Sequence, residues 1–349
     1  MTSALRWGGS LLLLGVLAWR LPWDQVGECF ARLDVRLWGV AVGLYLVCQV
    51  VSSLRWQLLS GPLGFRASFG RFVGMYHIGM FFNLVLPTSV GGDVVRAYYL
   101  AGVPHDGAGG RRTHAVLSVF LDRLNGLVLL VALAGFAAAF SPVALPPWVY
   151  VAVGVAVAGL VGGVVFLFAG GFVLQAVLRR YPGLLRSRYV AVLGRLLLAA
   201  QIYRRHPGTL LAASALSLVV QALNVVLVWC IGAGLGLDVP LVCYGVVVPL
   251  TSLLTLLPLS VNGIGLREAG FAVLLAPLGV AAAPAATLGL LQFLATMACS
   301  LVGLGFYLFG RYPRYRPAFP EKTSEEAGHD RTVRRDPDQG REGQPRAAA

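Results

Sequence analysis

Two arginines, Arg96 and Arg267, close two copies of one eleven-residue pattern set 171 positions apart: LPTSVGGDVVR at 86–96 and LPLSVNGIGLR at 257–267. Six of the eleven positions are identical, among them Pro87/Pro258, Ser89/Ser260, Gly92/Gly263 and the arginines themselves. Proline cannot continue a helical hydrogen-bond ladder, so Pro87 and Pro258 are expected to break the helices that reach them. Ser89 in the first copy, and Ser260 or Asn262 in the second, are residue types that cap a new helix. Gly91, Gly92, Gly263 and Gly265 let another group come close to the exposed N–H donors. A helix start with an arginine about one turn on is an anion site, and inside a bilayer the anion at hand is a lipid phosphate.

Further ionisable residues lie within apolar surroundings. Asp93 stands three residues before Arg96 and can pair with it on one helix face. Glu268 adjoins Arg267 in sequence but points to a different face, so another partner is expected for it. Asp122 and Arg123 sit in a long apolar run, Asp122 about 12 Å of helix beyond His114. Arg55 lies near the end of another run, where it either snorkels to head groups or faces the interior. Charges at such depth are rare and face a bundle interior or a wet path. Asp93, Asp122, Arg123 and Glu268 either form a structural ion-pair network or balance a cationic head group or proton. Gln221, Asn224 and Gln292 either hold helices together or line the path. His77 has no second ligand-type neighbour, and the five cysteines show no CxxC spacing, so no metal site is expected. GxxxxGK[ST], HExxH and GxSxG do not occur, so neither ATP drive nor a catalytic residue is expected, and no cofactor.

The elements that hold these residues are set by hydropathy. Of 349 residues 57% are apolar or aromatic and 12% are charged, with mean hydropathy +0.75, which excludes a water-soluble globule. The net charge of +13 is carried largely by segments between apolar runs, where it sets orientation and does not indicate nucleic acid. The runs fall at 5–21, 36–59, 72–100, 114–140, 148–170, 207–236, 240–276 and 284–309. No small-residue cleavage site follows the first, so it is expected to be retained. The segment 171–206 contains seven arginines and no acid and reads as interfacial amphipathic helix on the cytoplasmic side.

With that segment inside, the third run has cytoplasmic signals at both ends and the seventh has none at either. Both are expected to be re-entrant hairpins, one from each face. The expected fold is an all-α polytopic membrane protein with about six spanning helices and two opposed re-entrant hairpins in an inverted repeat. Half 1 covers about 1–140, a linking helix 148–170 and half 2 about 171–310. The charged tail 311–349, with 16 charges in 39 residues, is expected to be disordered and cytoplasmic. Paired Gly/Pro-interrupted segments in inverted halves point to the central site of a transporter.

The elements RW at 55–56, FFNLVLPTSVGGDVVRAYYL at 81–100, DRLNGL at 122–127 and LPLSVNGIGLREAG at 257–270 together resemble the transmembrane region of lysylphosphatidylglycerol synthases, also called flippase-like domain proteins. The resemblance covers nearly the whole of 5–310 and implies movement of phospholipid or glycolipid head groups between leaflets. The 39-residue tail is too short for an aminoacyl-transferase domain, so lipid lysylation is not expected. The expected function is an integral-membrane lipid translocator. The alternative is a lipid-modifying enzyme using Asp93, Asp122 or Glu268 as base. Expected partners are membrane lipids, either an anionic phospholipid or a lipid-linked glycan, with a homo-oligomer left open. The expected location is the plasma or inner membrane, with both termini cytoplasmic.

Overall fold

The computed structural model describes residues 23–86, 91–107, 110–141, 143–180, 202–256, 260 and 262–312, with the backbone alone at 164 and 167–179. The apolar run 5–21, the break residues Pro87, Ser89 and Pro258, most of the basic segment after Arg180 and the tail beyond 312 lie outside the described residues. The chain divides into Met1–Arg314 and Tyr315–Ala349, and everything below concerns the first.

Among the described residues the protein is all helical, apart from a single antiparallel bridge between Phe65 and His105. A short helix α1 (Trp23–Ala31) precedes α2 (Val35–Ser60). Then come α3 (Phe69–Val85), α4 (Gly91–Leu100), α5 (Arg111–Ala139), α6 (Pro147–Arg180), α7 (Pro207–Gly234), α8 (Leu241–Leu256), α9 (Leu266–Leu275) and α10 (Ala282–Phe309). Local chemistry sets several of the ends. Asp34 accepts from the Arg36 N–H at 2.9 Å to cap α2, and Pro207 occupies the first turn of α7, where its missing N–H is not needed. The Asp34 N–H also reaches the Gly234 carbonyl at 2.9 Å, tying the start of α2 to the end of α7.

Four described helices, α2, α5, α7 and α10, are long and apolar enough to cross a membrane. Each has 26 to 29 residues, about 39–44 Å of helix against a hydrocarbon core of about 30 Å. Both interrupted runs resolve into two helices apiece, α3/α4 and α8/α9. The members of each pair pack against each other. None of these four suffices to span, since 10 residues make only about 15 Å and 17 about 26 Å. Helix α6 continues to Arg180, ten residues into the basic segment.

The 171-residue repeat matches α2 to α7, α3 to α8, α4 to α9 and α5 to α10. The packing follows the same rule. α3 lies against α10 while α8 lies against α5, and α5 meets α7 while α10 meets α2. α2 and α7 pack on each other at the centre. The first helix of each pair therefore packs on the other half's long helix, while the second packs on its own, α4 on α5 and α9 on α10. Small residues permit the close crossings: a Cβ on Gly245 of α8 would stand 2.8 Å from that of Ala137 on α5, and one on Gly303 of α10 would overlap the His77 carbonyl of α3.

The distribution of polarity is the reverse of a soluble protein's. Val47, Leu54, Phe136, Leu211 and Leu308 are exposed, whereas Arg55, Arg96, Asp122, Asn125, Ser217 and Glu268 are buried. An apolar shell around a charged interior is stable in lipid and unstable in water.

Candidate functional site

The first half builds its site from α2, α3, α4 and α5. α4 begins at Gly91, and its position is fixed by α3: the Gly92 N–H donates to Asn83 Oδ1 at 2.8 Å. A Cβ on Gly92 would overlap the Gly79 carbonyl, and one on Gly79 would stand 2.8 Å from Arg96 Cδ. The space these glycines leave is thus filled by the neighbouring helix and by the Arg96 stem. One turn into α4, Arg96 points into the bundle at 2% exposure. Its guanidinium lies over the rings of Trp56, at 4.2 Å, and Tyr76, at 4.1 Å.

Asp122 on α5 is the centre of the network and is fully buried. Oδ1 accepts from Arg55 Nε and Oδ2 from Arg96 Nη2, each at 2.8 Å. Arg55 does not snorkel. It turns inward, and its Nη1 donates to Ser217 Oγ of α7 at 2.8 Å. Ser217 in turn donates to Asn125 Oδ1 in a short hydrogen bond, and Asn125 Nδ2 donates to Ser214 Oγ at 3.0 Å. Gln221 closes the same seam by donating to the Gly126 carbonyl at 3.0 Å. Gly126 leaves room beside Arg55, since a Cβ there would stand 3.2 Å from Arg55 Nη1. Asp93 faces two arginines: Arg123 through a two-toothed pair at 3.0–3.2 Å, and Arg96 more loosely at 3.6 Å. Three guanidiniums (Arg55, Arg96, Arg123) and two carboxylates (Asp93, Asp122) leave this cluster one positive charge in excess.

The second half repeats the backbone plan with different charges. Asn262 adopts φ +53°, and Gly263 and Gly265 have φ +72° and +85°, so the chain turns through the left-handed region before α9. Glu268, at the third position of α9, accepts from the Gly265 N–H at 2.7 Å, which is the partner it was expected to find away from Arg267. Arg267 donates Nη2 back to the Asn262 carbonyl at 3.3 Å and lies 5.4 Å from the Phe293 ring. Among the described residues no carboxylate stands within salt-bridge distance of it. The two interrupted segments touch, because Asn262 Nδ2 donates to the Leu84 carbonyl at the end of α3, at 3.3 Å.

Among the described residues, Arg96 Nε, Ser260 Oγ and Arg267 Nη1 are buried without a partner. Of the expected residues, the structure joins Arg55, Asp93, Arg96, Asp122 and Arg123 in one network, and Asn262, Gly263, Gly265, Arg267 and Glu268 in one loop and helix start. Sequence reasoning did not single out Tyr76, Asn83, Asn125, Ser217 or Phe293. Trp56 was visible only as the neighbour of Arg55. His77 Nδ1 is satisfied by the Val73 carbonyl at 2.8 Å.

An open cleft of about 1020 Å³ lies where α2 ends, α3 begins and α7 begins. Its walls include Gln57, Arg66, Arg71 and His206, and Gln57 is two residues past Arg55. Nearby Tyr203 donates its hydroxyl to the Leu59 carbonyl, and burial pushes that phenol well above its ordinary pKa.

The family model described as Lysylphosphatidylglycerol synthase TM region matches residues 4–303. No curated protein matches the chain significantly, and neither does any solved structure.

Proposed function

We infer the function from one premise: this chain belongs to the lysylphosphatidylglycerol synthase TM-region family. It is an integral membrane protein that moves a phospholipid or glycolipid head group between leaflets. The observation that carries this reading is a charged, hydrogen-bonded interior where the two interrupted segments meet, enclosed by an apolar shell. A lipid head group needs such a polar lane, and its acyl chains need such a shell.

The lane runs along the helix starts at 89–93 and 262–265, past Arg96 and Arg267, with Asp93, Asp122, Arg123 and Glu268 holding the charges in place. The halves are inverted, and both hairpins re-enter from opposite faces, so one lane opens to either leaflet as one half rocks against the other. The basic cleft beside Arg66, Arg71 and His206 is the cytoplasmic approach for an anionic head group. Both termini are cytoplasmic, and the plasma or inner membrane is the location. An enzyme using Asp93, Asp122 or Glu268 as base gains no support from the geometry. Each of these carboxylates is already engaged by an arginine or a backbone N–H.

Reconstitution into vesicles with head-group-labelled lipids tests the reading. Leaflet exchange with the lipid recovered chemically unchanged by mass spectrometry supports it, and a covalently altered lipid contradicts it.

A further inference from the structure

The repeat that builds the two halves also shows where they differ. At the offset of 171, Arg96 corresponds to Arg267 and Asp122 corresponds to Phe293. The structure respects this correspondence: Arg96 donates to Asp122, and Arg267 lies over Phe293. The same contact is thus an ion pair in one half and a cation–π contact in the other. Arg96 is charge-balanced by Asp122 and the looser Asp93 and flanked by two aromatic rings, with Nε alone left unbonded. Arg267 has Nη1 buried and unbonded, and Ser260 Oγ, at the head of the same loop, is 1% exposed and also unbonded. Glu268, the nearest acid in the chain, is turned to the Gly265 N–H, where it complements the start of α9. Nη2 of Arg267 is already engaged by the Asn262 carbonyl, so Nη1 at the start of α9 and the Ser260 hydroxyl in the preceding loop are the buried donors there that lack an acceptor among the described residues, and an anion satisfies both kinds.

We propose that the two halves divide the work: Arg96 is a structural cross-link, and Arg267 with Ser260 forms the seat of the phosphate group that passes through the protein. The inference rests on the translocation reading for its ligand and deepens it by assigning the anion to one half. A guanidinium edge plus a hydroxyl supplies charge-assisted donors to two non-bridging oxygens of a phosphodiester. The Phe293 ring keeps the cation oriented without neutralising it, so the ligand's charge is needed. Retaining an acid at position 293 would have occupied the seat.

Equilibrium binding to the purified full chain in nonionic detergent tests this, with radiolabelled dioctanoyl-phosphatidylglycerol as probe. Dioctanoylglycerol, which lacks the phosphate, and inorganic phosphate serve as competitors. Arg267→Gln and Ser260→Ala are each expected to weaken probe binding by about 10-fold or more, as expected for a lost hydrogen bond to a charged group. Arg267→Lys keeps the charge without the fork and is expected to fall between parent and Arg267→Gln, which covers any folding defect of the latter. The paired Arg96→Gln/Asp122→Asn variant, neutral in sum, is expected to lose less affinity than Arg267→Gln. Tyr244→Phe, which removes a buried hydroxyl elsewhere, is expected to bind as the parent does. Displacement by phosphatidylglycerol alone supports a lipid phosphate, and equal displacement by inorganic phosphate supports the seat but assigns it to the free anion. Parent-like binding by Arg267→Gln, displacement by dioctanoylglycerol, or a larger loss in the Arg96/Asp122 pair overturns the division. Binding that behaves as expected without leaflet exchange would leave the seat standing and remove the translocation reading instead.

Discussion

Replacing Asp122 by Asn keeps the shape of the side chain and removes the one charge that two buried arginines share. Asp122, Arg55 and Arg96 have side chains only 1%, 6% and 3% exposed, and both contacts are 2.8 Å long. Breaking one partner out of a buried ion pair costs about 3–5 kcal/mol, because the remaining charge is left uncompensated. Here Arg55 loses its counter-charge and Arg96 its nearer one, and the Asn amide turns an N–H group towards a site that supplies only donors. A loss at the upper end of that range is expected, a large part of a stability of about 5–15 kcal/mol. Equilibrium unfolding of the purified protein in mixed micelles measures it. The triple variant Arg55→Gln/Arg96→Gln/Asp122→Asn removes all three charges together and is expected to be more stable than Asp122→Asn alone, since exchanging a whole buried ionic group is often close to neutral. A loss under about 1 kcal/mol for Asp122→Asn, the size of an exposed pair, would refute the reasoning. So would a triple variant less stable than the single one.

Gly92→Ala is expected to disrupt the α3/α4 crossing, because its Cβ would overlap the Gly79 carbonyl, which cannot rotate away; a loss of about 1–3 kcal/mol in the same unfolding assay is the expected overpacking cost. Gly263→Ala is expected to destabilise as well, since φ +72° disfavours a side chain and the Cβ would stand 2.7 Å from Thr255 Cγ2. Arg123→Gln should be milder than Asp122→Asn, because Asp93 is left with a second arginine, Arg96, at 3.6 Å. In a cysteine-free background, Pro146→Cys is expected to label with an impermeant maleimide from outside and Arg335→Cys only after permeabilisation; equal labelling of both from outside would contradict the topology assigned by the positive charges.

The repeat was legible because it is written in residue types that act locally. Proline beside glycines and a capping residue favours a break, and α3/α4 and α8/α9 separate around those segments, whereas Pro249 alone is carried inside α8. The engagement of Glu268 was also within reach, since a carboxylate three residues after the capping position commonly bonds that position's N–H. The Arg55–Asp122–Arg96 bridge was not. Its members are 67 and 26 residues apart, and no periodicity links a charge on α2 to one on α5. The i, i+3 spacing of Asp93 and Arg96 pointed to a pair, and the two do meet at 3.6 Å. The deeper Asp122 nonetheless draws Arg96 inward, and Asp93 is left mainly to Arg123. Hydropathy located every described apolar helix. The run 5–21, which with α6 would complete six spans, lies outside the described residues.

Leaflet exchange itself is the most direct measurement. Vesicles carrying a lipid with a nitrobenzoxadiazole-labelled head group in both leaflets are exposed to dithionite, which bleaches only what reaches the outer surface. With the parent protein bleaching is expected to continue past the outer-leaflet population to near completion, and to stop at that population for Arg267→Gln inserted at equal density. Bleaching that stops at the outer leaflet with the parent protein for every anionic phospholipid and lipid-linked glycan tried would contradict the account.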